Sequence, residues 1–483
     1  MNDKFLITTA IPYVNAKPHV GHALEFVQAD VVKRFNQALG KETLLLSGGD
    51  ENALKNVQAA EDAGIEIQEF VDKNSQLFLN LAQKLNIQFD VFQKGSSSEH
   101  HKSAQILWMK CFDNGDIYKK KYTGLYCTGC EAFYEKSELN DVGECFEHPG
   151  KRIDEVSEEN YFFKLSKYQK EIEKIIEEDE IEIIPNHRKN EILSFIKSGI
   201  NDISISRSNI RAKNWGVPVP GDESQRMYVW FDALNIYQSG VGFGSYEKQY
   251  NKWWPADVHV IGKGILRFHA VYWPAFLLSA KLKLPKKIFV HGYFTVDGQK
   301  MSKTLGNVID PISLIDKYGA DALRYYFLAK FSPTNDGDFS EEKFREVYNA
   351  DLANGLGNLA ARVAKLCETL DVKFEKLEES SLEVINEFKI FSDAIKAYRF
   401  NDALQALFFR LSDLDKAIND YKPWEKIKTD KKGAELFLIT AINIIRKTGI
   451  QLQPFLPETA KKIEEQFKGP EIKSAPPLFP RLT

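Results

Sequence analysis

The chain has no apolar run long enough to span a bilayer, and its N-terminus lacks the basic-then-apolar order of an export signal. These absences argue against a helical membrane protein and make a cytoplasmic one the expectation. Cysteine is scarce, at 5 of 483 residues, which excludes a disulfide scaffold. Excess positive charge is missing too: 64 Lys and Arg stand against 68 Asp and Glu, a formal net charge of -4. Nucleic-acid binders usually carry a basic footprint, so any RNA site here has to be a local patch. The rest of the composition, 43% hydrophobic and 27% charged, is that of a globular protein. Its length exceeds what one core serves, so roughly two to four domains are expected.

What is present begins with Phe5 to Thr9, a β-prone run that enters the Pro-bearing turn Ala10-Ile-Pro-Tyr-Val-Asn15. Val20, Leu24, Val27, Val31 and Phe35 then recur at helical spacing, giving a strand, a turn and a helix. Such a unit points unpaired backbone N–H groups and the positive end of the helix dipole at the mouth of the turn, where a phosphate can sit. His19 and His22 stand there as hydrogen-bond donors, and Gly21 between them lets a ligand approach the backbone closely. Thr43 to Gly49 reads as a buried strand that ends at Asp50 and Glu51. Ligands of open parallel sheets bind at the carboxyl ends of strands, so a carboxylate there is placed to pair with an α-ammonium group.

Residues 53–115 alternate helices and short strands, as in a doubly wound α/β fold. Cys127-Thr-Gly-Cys130 and Cys145-Phe-Glu-His148, with fourteen residues between the pairs, break that pattern. Two Cys-x-x-ligand pairs predict a tetrahedral zinc knuckle, structural because four protein ligands leave no position for water. Cys111 and Cys367 read as small buried hydrophobes. Beyond about Tyr348 the strands vanish. Leu352, Leu356, Leu359, Val363 and Leu366 open a run of amphipathic helices, continued near 383–398, 401–421 and 432–453, that reads as a helical bundle. Ala475 to Pro480 reads as an irregular tail.

Lys300-Met-Ser-Lys-Thr304 follows a strand-like run, Lys287 to Tyr293, and an Asp297-Gly298 turn. With His19-Val-Gly-His22 it resembles the paired signature of the class I aminoacyl-tRNA synthetases. Ala10 to Asn15, Tyr228-Val-Trp-Phe-Asp-Ala233 and Trp273-Pro274 narrow the resemblance to the methionyl-tRNA synthetase family, over most of the chain to about Trp424. It implies a Rossmann-type doubly wound parallel catalytic domain in two halves, 1–115 and 216–292, with a connective zinc-knuckle insertion at 116–215. A phosphate-loop and stem-contact region at 293–347 would follow, then an α-helical anticodon-binding domain and C-terminal tail at 348–483.

The resemblance also implies roles. His19, Gly21, His22, Lys300, Ser302 and Lys303 would bind ATP, the histidines on its phosphates and the lysines neutralising charge as pyrophosphate leaves. Ile11, Tyr13, Trp230, Ala233, Tyr237, Ile265 and His269 would line a methionine side-chain pocket, with Asp50 near the amino group. A thioether offers almost no hydrogen bonds and is recognised by shape and sulfur–aromatic contact. Asn358, Arg362 and Trp424 match anticodon-contacting positions. The chain departs from the family where Asp50-Glu-Asn-Ala53 replaces Asp-Glu-His-Gly and where Thr304 replaces serine.

The expected activity is methionine–tRNA ligation, through methionyl-adenylate and then transfer to the 3′ end of tRNA(Met). Mg²⁺ is expected with ATP, and one structural Zn²⁺ per chain. Synthetases for isoleucine, valine or leucine are the alternative within the enzymes. They need a large editing insertion, because one methylene discriminates by only about 1–3 kcal/mol, and 116–215 has no room for it. A non-catalytic RNA-binding relative is the other alternative, and the retained His19, His22, Lys300 and Lys303 speak against it. The tail lacks the additional RNA-binding and dimerising domain of some relatives, so a monomer is expected, with tRNA(Met), ATP and L-methionine as partners and no membrane.

Overall fold

The computed structural model describes residues 3–127, 132–134, 136, 139–145, 150, 153–296, 298–300, 307–373 and 380–482. Six strands build the central sheet: β1 (Lys4–Thr9), β2 (Glu42–Gly49), β3 (Val91–Lys94), β4 (Glu182–Ile184), β5 (Val258–Gly262) and β6 (Lys287–His291). They lie in the order β3-β2-β1-β5-β6-β4, every neighbouring pair parallel. Leu45 of β2 joins one hydrophobic cluster, and Leu44 and Leu46 join another on the opposite face. A sheet covered on both sides is why these strands read as continuous apolar runs.

Eight helices matter below: α1 (Val20–Ala38), α2 (Ser98–Asp113), α3 (Val229–Leu234), α4 (Ala320–Ala329), α5 (Asn358–Thr369), α6 (Phe400–Tyr421), α7 (Lys431–Leu452) and α8 (Pro457–Gln466). The predicted stripe of α1 is buried, but so are Gln28, Asp30, Lys33 and Asn36, so this helix is enclosed rather than laid on a surface. Between β3 and β5 the chain forms an antiparallel ribbon, Ile117–Cys127 against Asp154–Phe163, before β4 returns to the edge of the sheet. A short helix, Gln169–Glu177, with Ile172, Ile175 and Ile176 buried, precedes β4.

The C-terminal helices share a core with the sheet, since Val20 and Phe289 belong to the same cluster as Leu438 and Ile442. A buried ionic joint adds direction to that contact. Arg324 of α4, fully buried, meets Asp30 of α1 at 2.8 Å. It also donates to the carbonyls of Phe455 (2.6 Å), Pro454 (2.9 Å) and Leu85 (3.1 Å). The tail beyond Ala475 has no regular structure, yet Leu482 and Asn349 exchange hydrogen bonds of 2.9 and 3.0 Å. Among the described residues no helix is long and apolar enough to cross a membrane.

Candidate functional site

The strand order reverses at β1, whose partners are β2 on one side and β5 on the other. Ligands of open α/β sheets bind in the crevice at such a point, and Tyr13, His19, His22 and Asp50, singled out from the sequence, follow the ends of β1 and β2 beside it. After β1 the chain bends toward the end of β2, where the Asp50 amide donates to Pro12 C=O at 2.9 Å and Tyr13 bridges Asp50. Asp50 is buried, and its own carbonyl accepts from Asn56 at 2.7 Å. Lys55 Nζ stands 3.5 Å over the Tyr13 ring.

Helix α3 supplies the opposite wall. Trp230 meets Tyr13 edge-on at 6.4 Å and lies flat on Phe268, with 3.7 Å between centroids and 3° between planes. Ala233 is buried beside it. Tyr237 and His269 follow, and their hydrogen bonds fix the protons. His269 Nδ1 lies 2.9 Å from Ile265 C=O, which only accepts, so Nδ1 carries hydrogen and Nε2 accepts from the Tyr237 hydroxyl at 2.8 Å. Burial lowers His269 to about 4, so the imidazole is neutral. The result is a cluster of aromatic faces whose Tyr237 and His269 donors are already used, surroundings that suit an apolar, polarizable side chain.

Helix α1 begins with a capping box made of two histidines. The Gly21 amide donates to His19 Nδ1 at 3.0 Å, and the His19 amide donates to His22 Nδ1 at 3.2 Å. Backbone N–H groups can only donate, so the proton of each ring resides on Nε2. The rings lie 4.0 Å apart, and burial, then His19 and His291, hold the His22 imidazole well below the usual histidine range. The expectation of unpaired amides at this helix end is corrected by the structure. Gly21 N–H is taken by His19, His22 N–H by His19 C=O at 3.0 Å, and Val20 N–H by Ile309 C=O at 3.4 Å. One imidazole and two backbone carbonyls take up these amides, so an anion here would meet ring N–H groups and the dipole instead.

One turn on, Glu25 Oε1 accepts from the Ala10 amide at 2.8 Å and Oε2 meets His291 Nε2 at 2.9 Å, tying α1 to the ends of β1 and β6. Sequence reasoning missed Glu25, because a glutamate in mid-helix reads as solvated. It also missed Phe268, which a signal could have found: it lies three residues after Ile265, on the helical face shared with His269.

The Lys300 side chain, Ser302, Lys303 and Thr304 lie outside the described residues. The backbone of Lys300 pairs with Thr295 in a short antiparallel ladder, and the Val20–Ile309 bond joins α1 to the segment after this loop. Of the four predicted metal ligands, Cys130 and His148 lie outside the described residues, while Cys127 and Cys145 are buried. Among the described residues no group of three or more His, Cys, Asp or Glu is placed to hold a metal ion.

Far along the bundle, Asn358 and Arg362 stand one turn apart on α5. Arg362 donates to Asp415 at 3.0 Å and Asn419 at 2.7 Å, and its guanidinium lies 5.4 Å from the Trp424 ring. Trp424 is 37% exposed.

Comparison with known proteins bears on both regions. Residues 5–364 match the family described as tRNA synthetases class I (M), and 366–476 match the anticodon binding domain of methionyl tRNA ligase. The chain is 40% identical to a methionine–tRNA ligase of Brucella melitensis, over 98% of this chain and 93% of that one. It is 41% identical to one of Rhizobium meliloti, over 95% and 90%. A solved structure of Mycobacterium tuberculosis methionyl-tRNA synthetase in complex with methionyl-adenylate superposes with a TM-score of 0.92 at 34% identity, covering 99% of this chain and 100% of that one.

Proposed function

The chain belongs to the methionyl-tRNA synthetase family of class I, aminoacyl-tRNA ligases that join methionine to tRNA with ATP, and on that premise we propose the residues that carry each step. Methionine binds at the aromatic cluster, its ammonium against Asp50 and its thioether among Tyr13, Trp230, Tyr237 and His269, with Ile11, Ala233 and Ile265 completing the wall. Each sulfur–aromatic contact contributes about 0.3–1.5 kcal/mol. His19 and His22 donate from Nε2 to ATP phosphate oxygens, Gly21 leaves room for them, and Lys300, Ser302 and Lys303 approach from the loop.

The methionine carboxylate then attacks the α-phosphorus in line, the bond to the bridging oxygen breaks, and pyrophosphate carries the charge away. A hydroxyl of the terminal ribose of tRNA(Met) next attacks the carbonyl carbon and AMP leaves. The protein's task is positioning and charge stabilisation. Mg²⁺ accompanies ATP, and no residue is assigned to it.

The observation that supports this reading best is the pair of capped, tautomer-fixed imidazoles at the start of α1, beside the switch point. Methionine-dependent exchange of pyrophosphate into ATP tests it. The parent should exchange, and His19→Ala, His22→Ala or Lys303→Ala should each lower the rate at least about tenfold, roughly 1.4 kcal/mol, with methionine binding little changed. Three variants exchanging at the parental rate would reject the phosphate cradle.

Cys127, Cys130, Cys145 and His148 would hold one structural Zn²⁺. The fit rests on the donor set and on the burial of Cys127, at the end of the ribbon, and of Cys145, in the segment between its strands. When bound, the ion supplies cross-linking rather than chemistry. Elemental analysis of freshly purified protein should give one zinc per chain, and Cys130→Ala should lose metal and local protease resistance together. A zinc-free parent would refute the site. Asn358, Arg362 and Trp424 read the anticodon, and the protein works as a cytoplasmic monomer.

A further inference from the structure

Under the methionine pocket runs a buried polar chain that none of these steps uses. Asn52, two residues after Asp50, donates from Nδ2 to Gly95 C=O at 2.7 Å and to Asp232 Oδ2 at 2.9 Å. Asp232 stands in α3 between Trp230 and Ala233, and its Oδ1 accepts from His100 Nε2 at 2.7 Å. His100 Nδ1 meets the Ser239 hydroxyl at 2.8 Å. Asn52 is 6% exposed, Asp232 1% and His100 0%. The backbones beneath are equally close: a Cβ on Gly95 would fall 2.9 Å from Gly49 C=O and 3.2 Å from the Glu51 amide.

The helix they hold cannot hold itself. α3 has six residues and no side-chain cap, well short of the length at which a helix is stable alone. A buried carboxylate on it requires donors, and Asp232 draws one from α2, through His100, and one from the end of β2, through Asn52. An amide nitrogen has two hydrogens, so Asn52 serves Asp232 and Gly95 from one atom. An imidazole nitrogen has one and could serve only one of them.

We propose that Asn52 is a positioning residue for methionine, registering the Trp230–Ala233 wall of α3 against Asp50. The inference rests on the assignment of the pocket above. An amino acid gripped at once by its ammonium and its side chain is sensitive to the span between those grips, and Asn52 bridges the two elements that set it. ATP is held by the other half of the crevice and does not depend on that span.

The test measures KM for methionine and for ATP separately in pyrophosphate exchange. Asn52→Ala should raise the methionine KM about tenfold to a hundredfold, with the ATP KM and the rate at saturating methionine within about threefold of the parent. Asn52→His, which keeps a donor for Asp232, should recover much of the loss, and Asn52→Asp, of the same shape without donors, should not. Should Asn52→Ala fail to fold, Ser239→Ala, which removes the hydroxyl on His100 and a weak 3.3 Å bond to Ile236 C=O, should still raise the methionine KM severalfold. An unchanged methionine KM, or an ATP KM rising in step with it, overturns the proposal. A parent without methionine-dependent exchange would instead overturn the pocket assignment.

Discussion

Replacing Trp424 with alanine is expected to lower kcat/KM for charging tRNA about tenfold to a hundredfold while methionine-dependent pyrophosphate exchange continues at the parental rate. The expectation follows from where the ring stands. Trp424 opens a short helical segment, Pro423–Lys426, after Lys422 takes a left-handed turn at φ 53°. One face is backed by Arg362, itself held by Asp415 and Asn419. An indole so braced loses little freedom when an unpaired base stacks on it, and such stacking contributes about 1–3 kcal/mol per base. The ring is 37% exposed, so truncation also removes some buried surface, and a modest fall in melting temperature is expected beside the loss of charging. Arg362→Ala should behave similarly. A sharp fall in melting temperature, or charging that survives, would instead assign Trp424 to the packing of the bundle.

The largest effect on stability is expected from Arg324→Ala. Removing one partner of a buried pair costs about 3–5 kcal/mol, because the other charge stays behind without compensation. Here Asp30 would keep Arg34, at 2.7 Å, but the carbonyls of Leu85, Pro454 and Phe455 would lose their common donor. The urea midpoint should fall with the slope unchanged. Arg324→Lys should recover only part of the loss, since one ammonium cannot span carbonyls that the planar fork reaches with separate nitrogens. A midpoint for Arg324→Ala within about 0.5 kcal/mol of the parent would mean that water replaces the guanidinium.

Much of the architecture was legible because it depends on local pattern. The spacing of Val20, Leu24, Val27, Val31 and Phe35 marks α1 whatever surrounds it, and the helices of the bundle fall where their leucines recur. Parallel pairing was expected as a class, but the order β3-β2-β1-β5-β6-β4 is carried by contacts that no window of sequence contains. The same distinction divides the site. Asp50 stands out by residue type and position at a predicted strand end, and His19 and His22 once their motif is paired with Lys300 to Thr304 far down the chain. The proton positions on those rings do not, because they are decided by which amides find Nδ1. Glu25 with His291 and Asn52 with Asp232 are partnerships across 266 and 180 positions, and each member alone looks like an ordinary polar residue.

The central place of β1 bears on how the protein is made. Its neighbour β2 leaves the ribosome soon after it, but its other neighbour is far down the chain: the Leu6 amide donates to Asp257 across 251 positions. At a synthesis rate of about 5–20 residues per second, β1 waits roughly 13–50 s with one edge open. The crevice at the switch point lies between β1 and β5, so a nascent chain that has not yet delivered Gly262 has one bank of it without the other. Until then the open edge of β1 has to be kept from other strands by the unfinished chain itself.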